Sequence, residues 1–368
     1  MILFSDRGTP DGYHNMHGYS GHTFKWVNAK GEFVYVQVHV RADGGFKTLT
    51  DDQAGQLAGS NPDYGTEALF NAIESGKFPS WTVYVQTMTS AQAEEFRYNI
   101  LDLTKVWPHS QFPLRPVGKI VLNENVQNYF AEIEQSAFSP SHLVHGVEPS
   151  ADPVLQSRLF SYPDTHRHRL GVNYQQLPVN APIVPISNFQ RDGFMAFVNQ
   201  GTRPNYQSSI QPLSYKKKPY HDVKHELFLG HAQADLSEIT EREYPSTLKV
   251  RRSVLTDVFL SVDFEQPRAL FQKVMDDTQR DHLVHNVAVH IKNCKSKEVV
   301  ARQRAYSLHT SHSYFSYLIS FDLSVSVFAA VDQSLSDRIA KAIGAPTVQP
   351  LKAKPAAEGV RYSFKQAA

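Results

Sequence analysis

From Glu32 to Arg41 the chain alternates without a break, with Phe33, Tyr35, Gln37 and His39 on one side and Val34, Val36, Val38 and Val40 on the other. A period of two, carried by β-branched and aromatic residues, is the signature of a strand. Bulk on both faces predicts a wall covered on two sides. Residues 22–28 predict its hairpin partner across Ala29-Lys30-Gly31, and Trp81–Met88 and Pro116–Asn123 predict two more strands. Thr50-Asp-Asp-Gln53 has the form of a capping box opening a short helix. A second helix is expected from Tyr64 to Ser75, with Leu69, Phe70 and Ile73 on one side and Gly76 as its stop. Four antiparallel strands with helical excursions amount to half a barrel, and an open half-sheet leaves edges that natural sheets close or cover.

Beyond Asn123 the pattern weakens. From Glu124 to about Glu241 the chain is rich in proline and weakly periodic, which predicts a segment that wraps around the rest. Helices return at Gln266–Val274, Asp281–Lys292 and Ser334–Ile343, where Leu283, Val287 and Ile291 form an i, i+4, i+8 stripe and Gly344-Ala-Pro346 ends the last helix. The predicted organisation is α+β: a partial β-barrel over 1–123, a wrapping segment over 124–241 and a C-terminal helical region over 242–368.

Charge excludes one class of partner. Lys and Arg number 37 against 36 Asp and Glu, a net charge of +1, so no broad field for nucleic acid exists. Lys216-Lys217-Lys218 reads as a solvated loop. One cysteine, Cys294, excludes an internal disulfide framework and fits a reducing compartment. No apolar run approaches a membrane span, and Met-Ile-Leu-Phe-Ser-Asp-Arg turns polar too soon for a signal peptide. The terminal Lys-Gln-Ala-Ala is not the Ser-Lys-Leu peroxisomal address. No His/Cys spacing reads as a zinc site, and His166-x-His168 reads as surface or hydrogen-bonding residues before it reads as a chelate. No Gly-x-Gly-x-x-Gly follows a strand.

The chemistry concentrates in Arg158-Leu-Phe-Ser-Tyr-Pro-Asp-Thr-His-Arg-His-Arg-Leu-Gly171. Asp152-Pro153 predicts a helix start, with Asp as the cap and Pro in the first helical position. Leu155 and Leu159 then share a face, and Arg158 and Tyr162, also i, i+4, meet side by side. A guanidinium held against a phenol favours the anionic form, which a free tyrosine does not supply at neutral pH. A phenolate is a hard ligand suited to ferric iron. Pro163 predicts that Tyr162 sits at the helix end or on a distorted turn, because the residue before a proline is pushed from helical angles.

This run resembles the proximal signature of the haem catalases almost letter for letter, and tyrosine is the known haem ligand of that family. The resemblance extends through Phe4-Ser-Asp-Arg-Gly8, Gly21-His-Thr-Phe24, Val106-Trp-Pro-His109, Tyr129–Gln135 and Asp263–Leu270. It implies an antiparallel β-barrel, a wrapping loop and a C-terminal helical domain in a homotetramer, acting on hydrogen peroxide to give water and oxygen. By match, Tyr162 is the haem-iron ligand and Arg158 its charge partner. His166 lies near the ligand, Arg169 near a haem propionate, Phe138 on the haem wall, and His22 with Asp152 at the haem edge. Small-subunit members also bind NADPH on the barrel surface, and the matching positions are Ser5, Arg7, Tyr19, Arg41, Val106, Trp107 and His109. Two arginines would hold the phosphates, with Trp107 and His109 flanking the nicotinamide side. His17 stands where relatives carry Asn. The implied compartment is peroxisomal or cytoplasmic.

Three departures are expected to matter. The family's distal histidine and asparagine, which do the general acid–base work, precede the Phe-Ser-Asp-Arg-Gly segment, so no catalytic residue is assigned within this chain. Segments 242–262 and 304–326 interrupt stretches that run together in fungal-type relatives, as translated introns would. The alternative reading is a non-catalytic, catalase-derived haem-binding or interaction protein.

Overall fold

Strand β1 (Gly18–Tyr19), β2 (Phe24–Val27), β3 (Phe33–Ala42), β4 (Ser80–Met88), β5 (Arg115–Val121) and β6 (Val147–Pro149) pair into one antiparallel sheet, ordered β5-β4-β3-β2-β6 with β1 also on β3. The computed structural model describes residues 2–183, 193–194, 196, 209–210, 262–293 and 331–344. Lys216–Lys218, Cys294, residues 242–261, residues 304–326 and much of the wrapping segment lie outside the described residues.

The β2–β3 hairpin closes as the alternation predicts, with Phe24 opposite Val36 and Val27 opposite Phe33. Asn28 sets the turn: its Oδ1 accepts from the backbone N–H of Lys30 (2.9 Å) and of Glu32 (3.0 Å), while Gly31 takes φ 87°. That angle favours a residue without Cβ. Two strands exceed the four expected. β1 and β6 are too short to show a period, and both are recruited by long-range pairing, β6 onto β2 with Lys25 opposite Glu148.

Helices α1 (Asp51–Ser60), α2 (Tyr64–Glu74) and α3 (Ser90–Glu95) leave the sheet between strands. The Thr50 capping box forms in full, and Thr89 builds a second one with Gln92. Tyr35, Met88, Trp107 and Phe112 pack with Ile100 and Leu101 into one core cluster. Gln86, fully buried, ties this cluster down by donating to the carbonyls of Trp107 (3.1 Å) and Phe112 (2.5 Å).

At the sheet edge Asp43, just after β3, accepts from Ser80 Oγ (2.5 Å) and Thr82 Oγ1 (2.6 Å) of β4 and lies 3.1 Å from Lys119 Nζ of β5. The Ser80 hydroxyl, then that of Thr82, then Lys119 hold its carboxyl down at about 2. A depressed carboxyl contributes to folding fully above its unfolded value and loses that contribution as pH falls through about 2. The Asp43 carboxyl carbon is therefore expected to titrate near 2 by NMR, and Ser80→Ala to move the midpoint upward. A midpoint in the ordinary carboxylate range would refute the staple.

Helix α4 (Pro153–Leu170) carries the conspicuous run. Beyond it, α5 (Val262–Ala269) continues as a π-helical turn, Leu270–Val274, followed by α6 (Asp277–Lys292) and α7 (Gln333–Ile343). α5 begins before the expected Gln266, so Pro267 lies inside it. α6 begins at Asp277, ahead of the expected Asp281, because Asp276 and Gln279 form a capping box. Gly344 ends α7 in the left-handed conformation. Phe264, Phe271, Leu283, Val287, Leu335 and Ile339 form the core of this region. Leu283 is fully buried, so Leu283→Ala is expected to cost about 2–5 kcal/mol, read as a lowered urea midpoint.

Polar contacts lock the helices to the sheet side. Glu265 accepts from Arg97 Nε (2.8 Å), Arg97 Nη2 and Tyr98 Oη (2.8 Å), and Gln266 bonds both backbone groups of Val106 at 2.9 Å each. His282 of α6 reaches Asp6 at 2.9 Å, and Asn286 donates to the Phe4 carbonyl at 3.0 Å. The whole is an antiparallel sheet with helices, the α+β class read from the sequence. Among the described residues no helix is long and apolar enough to cross a membrane.

Candidate active site

Asp152 begins the site by beginning α4. Its Oδ1 accepts from the N–H groups of Val154 (2.8 Å) and Leu155 (3.3 Å), and Pro153 takes the first helical position, where no N–H is needed. The helix then runs unbroken through Pro163 to Leu170 and ends at Gly171, φ 110°. Tyr162 accordingly lies inside a continuous helix, not at its end or on a distorted turn. A proline here removes one backbone bond, and side chains fastened at both ends of the helix outweigh that loss.

The first fastening is a four-residue chain. Asp152 Oδ2 lies 2.6 Å from His22 Nδ1, His22 Nε2 lies 2.6 Å from Arg158 Nη1, and Arg158 Nη2 donates to Tyr162 Oη at 2.7 Å. His22 arrives from the segment leading into β2, a sequence separation of 136 from Arg158. An arginine only donates, so Nε2 of His22 accepts, and its Nδ1–H is left to donate to Asp152. His22 and Asp152 are 3% and 1% exposed, which removes competing water. The Arg158 guanidinium carbon also stands 5.0 Å from the Tyr162 ring centroid. This arrangement holds a phenolic oxygen in place, donates a charge-assisted hydrogen bond to it, and fixes the donor by a buried carboxylate two bonds away.

The second fastening lies one turn on. His166 is buried, stands edge-on to Tyr162 at 6.1 Å between ring centroids, and its Nε2–H donates to the Phe138 carbonyl at 2.7 Å. Arg169 donates from Nη1 to the Glu134 carbonyl (2.6 Å) and from Nη2 to the Ser136 carbonyl (2.8 Å). Both of its outer nitrogens are therefore engaged by backbone, where the resemblance implied a propionate. Phe138 is 84% exposed, so its ring is presented outward and does not fill the core. His168 is exposed on the helix and diverges from His166, because residues two apart do not share a helix face. Among the described residues no group of three or more His, Cys, Asp or Glu is placed to hold a metal. A haem ligand set differs from such a cluster, since the porphyrin supplies the equatorial nitrogens and the protein needs to offer one axial atom. Tyr162 Oη fits that requirement: it accepts from Arg158 and keeps a lone pair for a metal.

The residues matched to a dinucleotide divide into two groups. Tyr19, opposite His39 in the β1–β3 ladder, packs edge-on against it at 5.3 Å, and His39 meets His109 at 5.8 Å. Exposed Arg41 ends the same face, and Val106 is also exposed. His17 sits 6.5 Å from Tyr19 and accepts from the Ala42 N–H through Nδ1 at 3.0 Å. Partial burial holds the His39 imidazole below its ordinary pKa, opposed by the bond to Gln86 and helped by His109 and Arg41. His39 joins this surface although sequence reading gave it no role; the signal was its alternation in β3. Trp107 departs from expectation: it is 2% exposed and packs against Phe112 in the core, so its indole does not reach the surface. Ser5 is buried with its hydroxyl on the Ile2 carbonyl at 2.7 Å, and Arg7 keeps one buried guanidinium nitrogen, Nη1, without a hydrogen-bond partner.

Comparison with known proteins agrees with this geometry. The sequence model of the catalase family matches residues 1–212, and one described as catalase-related immune-responsive matches 261–315. The chain is 51% identical over 294 residues to the peroxisomal catalase of Candida albicans, covering 79% of this chain and 56% of that protein. It is 46% identical over 334 residues to catalase T of Saccharomyces cerevisiae. Among solved structures, a fungal catalase superposes with a TM-score of 0.75 at 45% identity over 93% of this chain and 61% of that one. The chain thus spans little more than half the length of the curated relatives it matches. With the family model covering more than half of the sequence and the proximal run folded around Tyr162, the chain belongs to the haem catalase family, and within it is similar to the fungal members.

Proposed function

We propose that the chain seats haem with Tyr162 as axial ligand and serves the decomposition of hydrogen peroxide to water and oxygen. The observation that carries this reading is the hydrogen-bonded line from Asp152 and His22, both buried, through Arg158 to Tyr162 Oη. When bound, the haem iron supplies the redox chemistry that peroxide requires. The protein's part is electrostatic. Arg158 stabilises negative charge on the phenolic oxygen, His22 fixes the fork of the guanidinium, and Asp152 balances its charge. Titrating the full chain with haem tests the reading: a Soret band with the shift of a tyrosinate-ligated haem is expected. Free-haem absorption at every ratio would sink it.

The surface of Tyr19, Arg41, His109 and Val106, extended by His39, supports NADPH as a second ligand, with Arg7 as a further phosphate partner. Trp107 would contribute backbone there, not its ring. A homotetramer, the three-part division at 123 and 241, and a peroxisomal or cytoplasmic compartment belong to the same proposal; the relatives named peroxisomal catalase and catalase T support the last of these. Segments 242–262 and 304–326 are read as translated introns, which a spliced transcript lacking both would support and one retaining both would refute.

A further inference from the structure

The segment Glu134–Phe138 is held by side chains to an unusual degree. It follows the π-helical turn Phe130–Glu134, and π-turns concentrate where a backbone serves a function. The last carbonyls of any helix lack partners within it. Here Arg169 donates to the carbonyl of Glu134, the last residue of the turn, and beyond it side chains take three more carbonyls: Asn180 Nδ2 that of Gln135 (2.9 Å), Arg169 that of Ser136, and His166 that of Phe138. Asn180 Oδ1 also accepts from the Ala137 N–H at 2.8 Å, and its Nδ2 reaches the Tyr174 carbonyl at 3.0 Å. The result is an exposed phenylalanine ring on a backbone whose polar groups are fixed on both sides.

Two of the three clamping residues share a helix face with Tyr162, since 162, 166 and 169 follow i, i+4, i+7. Arg169 Nη2 additionally lies 3.3 Å from His166 Nδ1, which orients the ring so that Nε2–H points at Phe138. A solitary exposed phenylalanine needs no explanation, but one whose carbonyl is bonded to the imidazole set edge-on to Tyr162 is placed relative to that phenol.

We propose that Arg169, His166 and Asn180 are positioning residues that clamp Glu134–Phe138 and thereby set Phe138 against the haem face beside Tyr162. This rests on the haem seat proposed above. It gives Arg169 a role in holding backbone and makes Asn180 part of the site.

Hydrogen exchange of the full chain without haem, followed by haem titration, separates the two readings. Asn180→Leu is expected to speed exchange in peptides covering 134–138 about tenfold and to weaken haem binding by a similar factor, as loss of two or three neutral bonds implies. Peptides from α6 should exchange as before, which controls for unfolding. Phe138→Ala should weaken haem binding equally while leaving exchange unchanged. His166→Gln, which keeps a donor for the Phe138 carbonyl, should preserve protection that His166→Leu loses. Unchanged exchange in Asn180→Leu, or faster exchange with undiminished haem affinity, overturns the proposal. If the unaltered chain takes up no haem, the seat itself is refuted and this proposal falls with it. A normal Soret band with unmoved exchange in the variants refutes the clamp alone.

Discussion

Tyr162→Phe is expected to eliminate the ligated haem spectrum of the reconstituted chain and lower haem affinity by at least about 100-fold, more than the 10–100-fold typical of losing an outer-shell partner. Phenylalanine keeps the ring and its packing against His166 and the Arg158 guanidinium but deletes the phenolic oxygen proposed as the iron ligand. The fold should survive. Arg158 loses one acceptor yet remains bonded to His22, so the stability cost is that of one charge-assisted hydrogen bond, about 1.5–3 kcal/mol. The contrast between a small loss in urea midpoint and a total loss of the Soret shift is the result that discriminates. If the variant bound haem with an unaltered spectrum, another residue would be the ligand and the reading of α4 would fail.

Much of this site was legible because its members are near in sequence. Arg158 and Tyr162 meet through helical spacing alone, and Asp152-Pro153 announces the helix that carries them. The strands over residues 33–42 and 80–88 were legible for the same reason, as was the Thr50 capping box. What escaped depends on distant partners. Pro163 obeys a local rule in isolation, but the helix continues through it, with side chains on either side of it bonded to His22, to Phe138 and to the 134 and 136 carbonyls, all far away in the chain. β6 is three residues long and exists because β2 pairs with it. Trp107 shows that composition does not tell a core indole from a surface one; only the company of Tyr35, Met88 and Phe112 decides. Asn180 belongs to no pattern at all, and its role appears only when the backbone of 135–137 is laid against it.

Asp152→Ala is expected to cost more stability than the loss of a helix cap alone, because Asp152 does two things with one carboxylate. Oδ1 caps α4 and Oδ2 anchors His22, and both atoms are out of reach of water. Asp152→Ala removes the cap, worth about 1 kcal/mol, and leaves the buried Nδ1–H of His22 without its acceptor, which typically costs about 1–3 kcal/mol more. Two further variants divide the sum. Asp152→Ser restores a capping oxygen but is too short to hold His22, so it should recover only the capping part. Asp152→Asn keeps one acceptor oxygen, so with that oxygen on the cap its Nδ2 faces the His22 N–H donor to donor, and its deficit relative to aspartate measures the charge and the histidine anchor together. The order expected in urea denaturation is Asp as the most stable, then Asn and Ser, then Ala. Haem spectra should shift already in Asp152→Asn, since the guanidinium facing Tyr162 then lacks its counter-charge. Equal midpoints for Asp, Asn, Ser and Ala would mean that the carboxylate acts on neither helix nor histidine, and that the line from Asp152 to Tyr162 is a contact without energetic weight.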